Sequence, residues 1–502
     1  MVNLALKYKK EIFIILILFA FYFLFRLPNL TLQPIFADEA IYIRWAQVMR
    51  SEPTLRFLPL SDGKTPLFMW AMIPLFKIFE DPLFAGRFLS VMSGFVTLIG
   101  VLALAWRVFG IKTALWASFI YVVVPYTVFF DRMALVDAML SAFTVWALFF
   151  ATLLAQKVRL DLAMILGFIL GGAWLTKTPA VLNLFLLPAS ILAFKKSKED
   201  KYSSLKLFFF WLIAIFIALL MYNALRLGPN FHLLSSRNAD YVFSPVELLG
   251  RPLDPFIPHF RDISDWFPKL LTWPVLILGG TGVIWVIKEK NKLGFVVLLW
   301  ALIPLLLEMA FLRTFTARYL LPSIPLILIF AGYGISKISN FKFQISNNFL
   351  ILILSIVLTV PALHFNYQLL TSSPPDSLPK EERKGYFEGW TAGYGLKEIA
   401  QFLTEQNKTQ KVVVGTEGFF GTLPDGLYIY LDKAGISIIG SHATISAQIR
   451  NAAKDNLTFF VGNKNNLEGA IDNVRLIKEY PKAKAVDGKQ DSTVLYQVLP
   501  KD

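Results

Sequence analysis

The chain contains no cysteine among its 502 residues. This absence excludes disulfide bonds, thiolate metal sites and cysteine nucleophiles. Histidine is also scarce, and no two histidines have the spacing of a metal-binding pair on a helix, so a histidine-rich zinc centre is not expected. The four histidines are His232, His259, His364 and His442.

Charged residues are few as well. They make up 17% of the chain, whereas soluble proteins carry about 25%, and hydrophobic residues make up 56%. Many apolar runs approach the roughly 20 residues that a helix needs to cross a bilayer. No small-residue cleavage site follows the first apolar run, which therefore indicates a retained helix rather than a signal peptide. The composition predicts a polytopic membrane protein.

The net charge of +14 does not indicate a nucleic-acid partner. The excess of lysine and arginine lies in short loops between apolar runs, which is the positive-inside distribution of membrane proteins. If the basic segment Met1–Glu11 is cytoplasmic, five short basic loops fall on the cytoplasmic side. These loops are Arg107–Lys112, Gln156–Asp161, Lys195–Lys206, Lys288–Lys292 and Ser336–Lys342.

The apolar stretch Pro66–Phe79 decides this topology. It is short and interrupted by Pro74 and Lys77, so it is interpreted as a juxtamembrane segment rather than a span. The sequence then predicts about eleven spanning helices in a plasma (inner) membrane protein with a cytoplasmic N-terminus. The outer side would receive the first loop (28–87), a second long loop (228–268) and everything after the last helix.

Composition changes after residue 370. We predict a transmembrane domain over 1–370, a linker rich in proline and serine over 371–380, and an extracytoplasmic α/β domain over 381–502. A helical apolar repeat begins at Gly393. Short β-strands are predicted to begin at Lys411, Ile436, Leu457 and Thr493. No internal repeat is evident.

An acidic doublet, Asp38-Glu39, follows directly after the first apolar run. It opens a segment in which Ile41, Trp45 and Val48 recur at helical spacing, which predicts an amphipathic helix at the membrane surface. Asp38 could simply be an N-cap and Glu39 a first-turn acid. A carboxylate at this surface is equally well placed to deprotonate a hydroxyl.

Further charged groups are predicted on the same outer side. Asp137 lies at the start of an apolar helix, where an acid is energetically costly and is therefore a functional-site candidate. The structural alternative is that its carboxylate is buried in an ion pair with Arg132 or Arg87. Asp131 and Arg132, which are adjacent in the same segment, could form an ordinary interfacial ion pair.

Cations on the outer side match a phosphate ligand. Arg313 and Arg318 lie in one short turn, and guanidinium groups pair with phosphate oxygens through two hydrogen bonds. Lys64 and Lys177 are predicted on the same side and would act as point charges. Together with the acids they fit transfer of a group from a lipid phosphate, in which cations stabilise the leaving group and a carboxylate takes the acceptor proton.

Two other functions are alternatives for a membrane protein of this kind. A transporter or flippase of lipid-linked saccharides would place charges near the midplane, often in repeated halves, and neither feature is evident. A non-catalytic scaffold gives no reason for acids and arginines to gather on one face. No P-loop or dinucleotide fingerprint is present.

At these residues the sequence resembles the protein O-mannosyltransferase family and its relative, the lipid A aminoarabinose transferase. Both are polytopic enzymes of the C-type glycosyltransferase fold. The resemblance extends over about residues 10–330 and is strongest in the first third. It is carried by Asp38-Glu39 with Tyr42 and Arg44, Lys64-Thr-Pro-Leu-Phe-Met-Trp70, Arg87-Phe88-Leu-Ser, Arg132-Met-Ala-Leu-Val-Asp137 and Arg318-Tyr319-Leu-Leu-Pro322-Ser-Ile-Pro325.

The resemblance implies a polyprenyl-phosphate sugar as donor and an inverting displacement onto a hydroxyl of a protein or glycolipid acceptor. It implies Asp38 as the base, Glu39 as an orienting group and Asp137 as a second acid. The donor phosphate would be bound by Lys64, Arg132, Lys177, Arg313, Arg318 and Tyr319. A divalent metal stays open, although the scarcity of histidine departs from the metal site found among relatives.

Overall fold

The computed structural model describes residues 8–196, 202–251, 253–339, 347–467 and 472–500. The predicted cytoplasmic segment Met1–Glu11 and the basic loops Lys195–Lys206 and Ser336–Lys342 lie partly outside the described residues. The chain forms two compact units. The first comprises Met1–Pro28, Arg56–Phe68 and Leu89–Tyr367, and the second comprises Asn29–Leu55, Met69–Phe88 and Gln368–Asp502.

The described part of the chain is mainly helical. In chain order the α-helices are α1 (Lys9–Arg26), α2 (Ala37–Ser51), α3 (Leu67–Met72), α4 (Pro82–Phe109), α5 (Ile111–Val123), α6 (Pro125–Phe130), α7 (Val136–Lys157), α8 (Leu160–Thr176), α9 (Val181–Leu186), α10 (Ser203–Asn223), α11 (Leu233–Ser236), α12 (Asn238–Tyr241), α13 (Pro245–Leu249), α14 (Phe256–Leu270), α15 (Trp273–Lys288), α16 (Lys292–Phe311), α17 (Ile324–Ile338), α18 (Asn347–Thr371), α19 (Lys380–Arg383), α20 (Leu396–Asn407), α21 (Thr422–Leu431) and α22 (Ala447–Asp455). The strands are β1 (Ile35–Phe36), β2 (Ala392–Gly393), β3 (Val412–Glu417), β4 (Ser437–Ser441), β5 (Leu457–Asn463), β6 (Val474–Pro481) and β7 (Ser492–Val498).

Five described helices are long and apolar enough to cross a bilayer, namely α4, α7, α10 with its extension to Leu227, α16 and the part of α18 from Ile351. Helices α14 and α15 together meet the same criteria but bend by 110° at their break, as in a broken span or a re-entrant loop. The membrane-spanning fold class is therefore confirmed. Several further apolar helices are shorter, with 10–17 residues.

Fewer helices are long enough to cross a bilayer than the eleven or so that the sequence predicts, because several apolar helices are short. After α8, 3₁₀ turns at Thr178–Ala180 and Leu187–Ala193 flank the six-residue helix α9, and each turn contains a proline near its start. Proline has no N–H to donate, so it interrupts a regular α-helix. The stretch Pro66–Phe79 is broken in the same way into α3 and a 3₁₀ turn at Ile73–Lys77.

The second unit contains a five-stranded sheet with the strand order β4-β3-β5-β7-β6. Strands β3, β4 and β5 are parallel, and β7 pairs antiparallel with both β5 and β6. The four strands predicted from the sequence and the helix α20 are confirmed. Strand β6 was not predicted, because it is a largely exposed edge strand in which charged residues interrupt the apolar alternation.

The second unit also ties the first outer loop to the C-terminal segment. Strands β1 and β2 pair antiparallel, and the N–H of Ala37 donates to the carbonyl of Thr391 at 3.0 Å. Further along α2, Gln47 Nε2 donates to the carbonyl of Ile429 in α21 at 2.9 Å. The helix that begins at the acidic doublet is therefore held by residues more than 350 positions later in the chain.

Candidate active site

Helix α2 begins at Ala37, so Asp38 and Glu39 are its second and third residues. The carboxylate of Glu39 accepts the N–H of Phe36 at 3.0 Å and two N–H groups of Arg87 at 2.8 Å each. The N-cap of the helix is therefore Phe36 and not Asp38, and Glu39 accepts the backbone N–H of this N-cap residue. An acid at the third helical position reaches back to the N-cap backbone, as Glu39 does here.

The pair of Glu39 and Arg87 is buried, with 0% and 1% of the two side chains exposed. The guanidinium also donates to three backbone carbonyls of the preceding loop, those of Leu30, Gln33 and Pro34. A planar guanidinium with its donors used in this way fixes both the helix start and the loop before it. Asp38 stays half-buried at the same turn, so it is the acid of the doublet that a ligand can approach.

Lys64 forms a second arrangement of charges in the first unit. Its Nζ lies 3.0 Å from Asp62 Oδ2, and Nη2 of Arg237 lies 2.8 Å from Asp62 Oδ1. The negative charge of Asp62 raises the pKa of Arg237. Nε of Arg237 also lies 3.2 Å from Asp240 Oδ2, so the two cations face two carboxylates in a group that is partly buried to exposed.

Gly63 allows this arrangement. Its φ is +66°, and a Cβ at this position would lie 2.6 Å from Cβ of Arg237. Only glycine combines this left-handed conformation with so close an approach. No local sequence pattern marks Arg237, although the loop 228–268 that contains it is predicted on the outer side.

Asp131 and Arg132 do not form the ion pair that the sequence allowed. Nε of Arg26 lies 2.9 Å from Asp131 Oδ2, and the hydroxyls of Tyr22 and Tyr121 donate to the same carboxylate. Arg132 donates instead to the carbonyl of Arg26 at 2.7 Å. This interpretation was wrong because a turn points neighbouring side chains to different partners, and here both serve to hold the end of α1.

Asp137 pairs with neither Arg132 nor Arg87 but with Lys177, whose Nζ lies 2.6 Å from its Oδ1. The same Nζ lies 3.9 Å above the centre of the Tyr319 ring, and the guanidinium of Arg318 lies 5.3 Å from that ring. Asp137 and Arg318 are buried. Four residues predicted as site residues are thus brought together from three separate places in the sequence.

Arg313 has a different partner. Its Nη2 lies 2.7 Å from Glu247 Oε1, and its guanidinium lies 4.3 Å from the centre of the Phe243 ring. Hydrogen bonding to the backbone of Ser244 and to Arg313 lowers the pKa of Glu247. The two arginines of the turn 313–318 therefore face different surroundings.

Among the residues that the structure describes, no group of three or more histidine, aspartate or glutamate side chains is placed to hold a metal ion. The divalent metal left open by the sequence stays a prediction.

Comparison with known proteins places these residues in a family context. Residues 63–224 match the family model described as dolichyl-phosphate-mannose-protein mannosyltransferase. The resemblance predicted from the sequence is confirmed. The matched segment contains Lys64, Arg132, Asp137 and Lys177. No curated protein matches the chain.

Solved structures match nearly the whole chain. The crystal structure of ArnT from Cupriavidus metallidurans in the apo state gives a TM-score of 0.60 at 14% identity, covering 98% of this chain and 99% of that one. The same protein bound to undecaprenyl phosphate gives 0.58 at 14% identity, with 98% and 100% covered. The archaeal oligosaccharyltransferase AglB from Archaeoglobus fulgidus, in complex with an inhibitory peptide and a dolichol-phosphate, gives 0.54 at 10% identity, with 97% and 74% covered.

At these identities the likeness shows a shared fold. The chain has the membrane fold of ArnT and AglB, the C-type glycosyltransferase fold, with a C-terminal sheet domain. The chemistry performed on that fold has to be argued from the site itself.

Proposed function

We propose that the protein is an integral-membrane inverting glycosyltransferase that moves a sugar from a polyprenyl-phosphate donor to an acceptor hydroxyl. The bond between the anomeric carbon and the phosphate oxygen breaks, and the acceptor oxygen forms the new bond from the opposite face. The acceptor proton goes to Asp38, and a lipid monophosphate leaves. The acceptor is a protein or a surface glycolipid.

One observation carries the assignment of the base. Glu39 is buried and satisfied by Arg87 and the Phe36 N–H, so its neighbour Asp38 is the carboxylate left half-buried on a rigid helix start. A general base has to reach its substrate while being held in place. Glu39 is then a positioning residue, which agrees with its predicted orienting role.

The donor phosphate is assigned first to Lys64 and Arg237. Both side chains are partly exposed cations held together at Asp62, and an ammonium and a guanidinium are the groups that bind phosphate oxygens. The remaining predicted phosphate ligands are Arg132, Lys177, Arg313, Arg318 and Tyr319. The relatives support a lipid phosphate as the leaving group, since ArnT has been crystallised with undecaprenyl phosphate and AglB with a dolichol-phosphate.

The enzyme is placed in the plasma (inner) membrane, with its N-terminus in the cytoplasm and its C-terminal domain outside. This orientation follows from the positive-inside rule, and it puts Asp38 on the side where surface proteins and glycolipids are found. The AglB complex contains a peptide and thus supports a protein acceptor.

The test is transfer of radiolabelled sugar by purified protein from polyprenyl-phosphate mannose, and from the corresponding pentose donor, to cell-envelope fractions of a deletion strain. Asp38→Asn should lower transfer by at least about 100-fold, because removing a general base costs 10²–10⁴. Asp161→Asn is the control, since Asp161 forms an exposed pair with Arg159.

Normal transfer by Asp38→Asn would remove Asp38 from the mechanism. A wild-type protein that transfers neither sugar, but moves the lipid-linked sugar across the bilayer of a liposome, would overturn the enzyme proposal in favour of a flippase.

A further inference from the structure

The second unit contains a large polar cleft that the proposed mechanism does not use. Its volume is about 930 Å³, and it is lined by α2, by one face of α20, by the end of α21 and by the segment 76–82. All of its lining residues belong to the second unit. Ligand sites in proteins typically have volumes of about 300–1,000 Å³, so this cleft lies at the upper end of their range.

Contacts between its walls fix the shape of the cleft. Gln47 Nε2 in α2 donates to the carbonyl of Ile429 in α21 at 2.9 Å, and Nζ of Lys397 in α20 lies 2.6 Å from Asp81 Oδ2. These four residues all line the cleft. A preformed cleft spares a ligand the cost of ordering its own binding site.

Gln47 gives a first indication of what the cleft binds. Its side chain is 5% exposed, and its Oε1 has no hydrogen-bond partner among the described residues. The bond from Nε2 to Ile429 fixes which end of the amide is the oxygen, because that carbonyl needs a donor. Buried polar atoms normally find a partner in the protein, in water or in a ligand. A ligand that donates hydrogen bonds from within the cleft is therefore the match for Gln47.

The exposed part of the lining contains acids and bases together. Glu80 and Glu405 are exposed acids of the wall, and Lys77 and Lys433 are exposed bases. A ligand that carries charge of one sign would meet side chains of its own sign. Hydroxyl groups both donate and accept hydrogen bonds, so a neutral ligand with many hydroxyls can bind to acids, bases and amides alike.

Aromatic side chains add apolar surface to the same lining, namely those of Phe76 and Phe79. The C–H faces of sugar rings are apolar and pack on aromatic rings, while the hydroxyls around the ring bind polar groups. None of the described residues that line the cleft lies in a β-strand, so an extended peptide finds no strand edge there. The polar wall also differs from the hydrophobic groove that a peptide helix needs. The lining therefore matches a saccharide better than a peptide.

The cleft is separate from the proposed base. Gln47 follows Asp38 by nine residues in α2, which is about 14 Å along the helix axis at 1.5 Å per residue. The same nine residues make about two and a half turns, so the two side chains point to opposite faces of the helix. A ligand in the cleft is therefore not the group that reacts at Asp38.

We propose that this cleft is a second, non-catalytic binding site that takes a neutral oligosaccharide. Sugar hydroxyls bind Gln47, Gln401 and Thr404, and the apolar faces of the sugar rings pack on Phe76 and Phe79. The inference goes beyond the transferase function and does not depend on it. The same chemistry describes a soluble glycan and the sugar headgroup of a glycolipid.

The test measures equilibrium binding of short neutral oligosaccharides of mannose, glucose or N-acetylglucosamine to the full-length protein. Phospholipid nanodiscs hold the protein, because a maltoside detergent would itself compete for a sugar site. A second arm places glycolipids with the same headgroups in the nanodisc. Saturable binding of a soluble oligosaccharide supports a glycan ligand, and binding of the glycolipid alone supports a lipid headgroup.

Two variants assign the binding to the cleft. Gln401→Trp places an indole in the space of a sugar ring from an exposed position of α20, and it should weaken binding by about tenfold or more. Gln47→Leu should weaken binding by about 2- to 10-fold, the range of one hydrogen bond. Gln401→Trp alone carries the test if Gln47→Leu is too unstable to purify.

Gln448→Trp is the matched control, because Gln448 is an exposed glutamine of α22 that does not line the cleft. Its affinity for the oligosaccharide should equal that of the wild type. Unfolding temperatures show whether each variant is folded.

The inference is overturned if no oligosaccharide or glycolipid binds saturably, or if Gln401→Trp binds as tightly as the wild type. Saturable binding of serine- and threonine-rich peptides in place of sugars, abolished by Gln401→Trp, would also overturn it in favour of a peptide site. None of these results bears on sugar transfer, which Asp38→Asn tests separately.

Discussion

Two buried acids of this protein, Glu39 and Asp137, have opposite surroundings. Glu39 is paired with Arg87 through two hydrogen bonds, and both side chains are at most 1% exposed. Asp137 is bound by the single ammonium of Lys177, which is 22% exposed and also faces Tyr319. The charge of the same lysine also acts on a second acid, Glu308, whose Oε2 has no hydrogen-bond partner among the described residues.

The difference distinguishes Glu39, an acid that stabilises local structure, from Asp137, an acid that a ligand can reach. A carboxylate whose hydrogen bonds are all made inside the protein stabilises local structure and has little left to offer a substrate. A carboxylate that shares one cation with another acid can exchange partners when a ligand arrives. Burial alone would have placed Glu39 and Asp137 in one class.

The largest effect is expected from breaking the buried pair of Glu39 and Arg87. Arg87→Met should lower the free energy of unfolding by about 3–5 kcal/mol, because it leaves Glu39 buried without a counter-charge. Thermal unfolding of the detergent-solubilised protein measures this loss. Arg44→Met is the control, since its pair with Asp432 is 22% exposed on both sides and should cost at most about 1 kcal/mol. Equal losses of stability in both variants would contradict the distinction between the buried pair of Glu39 and Arg87 and the partly exposed pair of Arg44 and Asp432.

A third kind of acid lies in the C-terminal region. Asp425 is 9% exposed and accepts the N–H of Gly421, and burial raises its pKa to about 6. The folded state therefore binds the proton more tightly than the unfolded state, and stability falls as the pH rises from about 4 to about 6.

Asp425→Asn removes this penalty and keeps an acceptor for the Gly421 N–H. At pH 7.5 the variant should be more stable than the wild type by up to about 3 kcal/mol, and the difference should vanish near pH 4. Unfolding temperatures across this range provide the measurement. A difference that does not change with pH would mean that Asp425 titrates normally.

A smaller effect on stability is expected from the interaction between Asp137 and Lys177. In a double-mutant cycle with Asp137→Asn and Lys177→Met, the coupling energy in stability should be about 1.5–3 kcal/mol, the range of a hydrogen bond between charged groups. The same cycle in sugar transfer tests whether the pair acts as one unit. Additive losses in stability would indicate that the 2.6 Å contact contributes nothing to the fold.

The smallest effect is expected at Glu308. Glu308→Gln should change the free energy of unfolding by less than about 1 kcal/mol, since no internal hydrogen bond of Oε2 is lost. Glu39→Gln should cost clearly more, because it removes the charge that compensates Arg87. If both glutamine variants lose the same stability, the difference drawn between the paired Glu39 and the unpartnered oxygen of Glu308 is wrong.

The helices and strands were largely predictable because their signals are local. Apolar runs identified the membrane region, and alternating short runs identified four of the five strands of the large sheet. The acidic doublet was found because it follows an apolar run directly. Arg237 was missed because it meets Asp62 across 175 positions of sequence. Glu308 did carry a local signal, an acid within an apolar run, which sequence reasoning could have used.

By itself, the sequence determined the membrane class, the α/β character of the C-terminal region and the residues from which a site could be made. Periodicity and composition depend on neighbouring residues, and these features follow from them. The tertiary structure decided which partner each charge has. Arg87 binds Glu39, Arg26 binds Asp131 and Lys177 binds Asp137, because the packing of distant helices, not their order along the chain, brings opposite charges within hydrogen-bond distance.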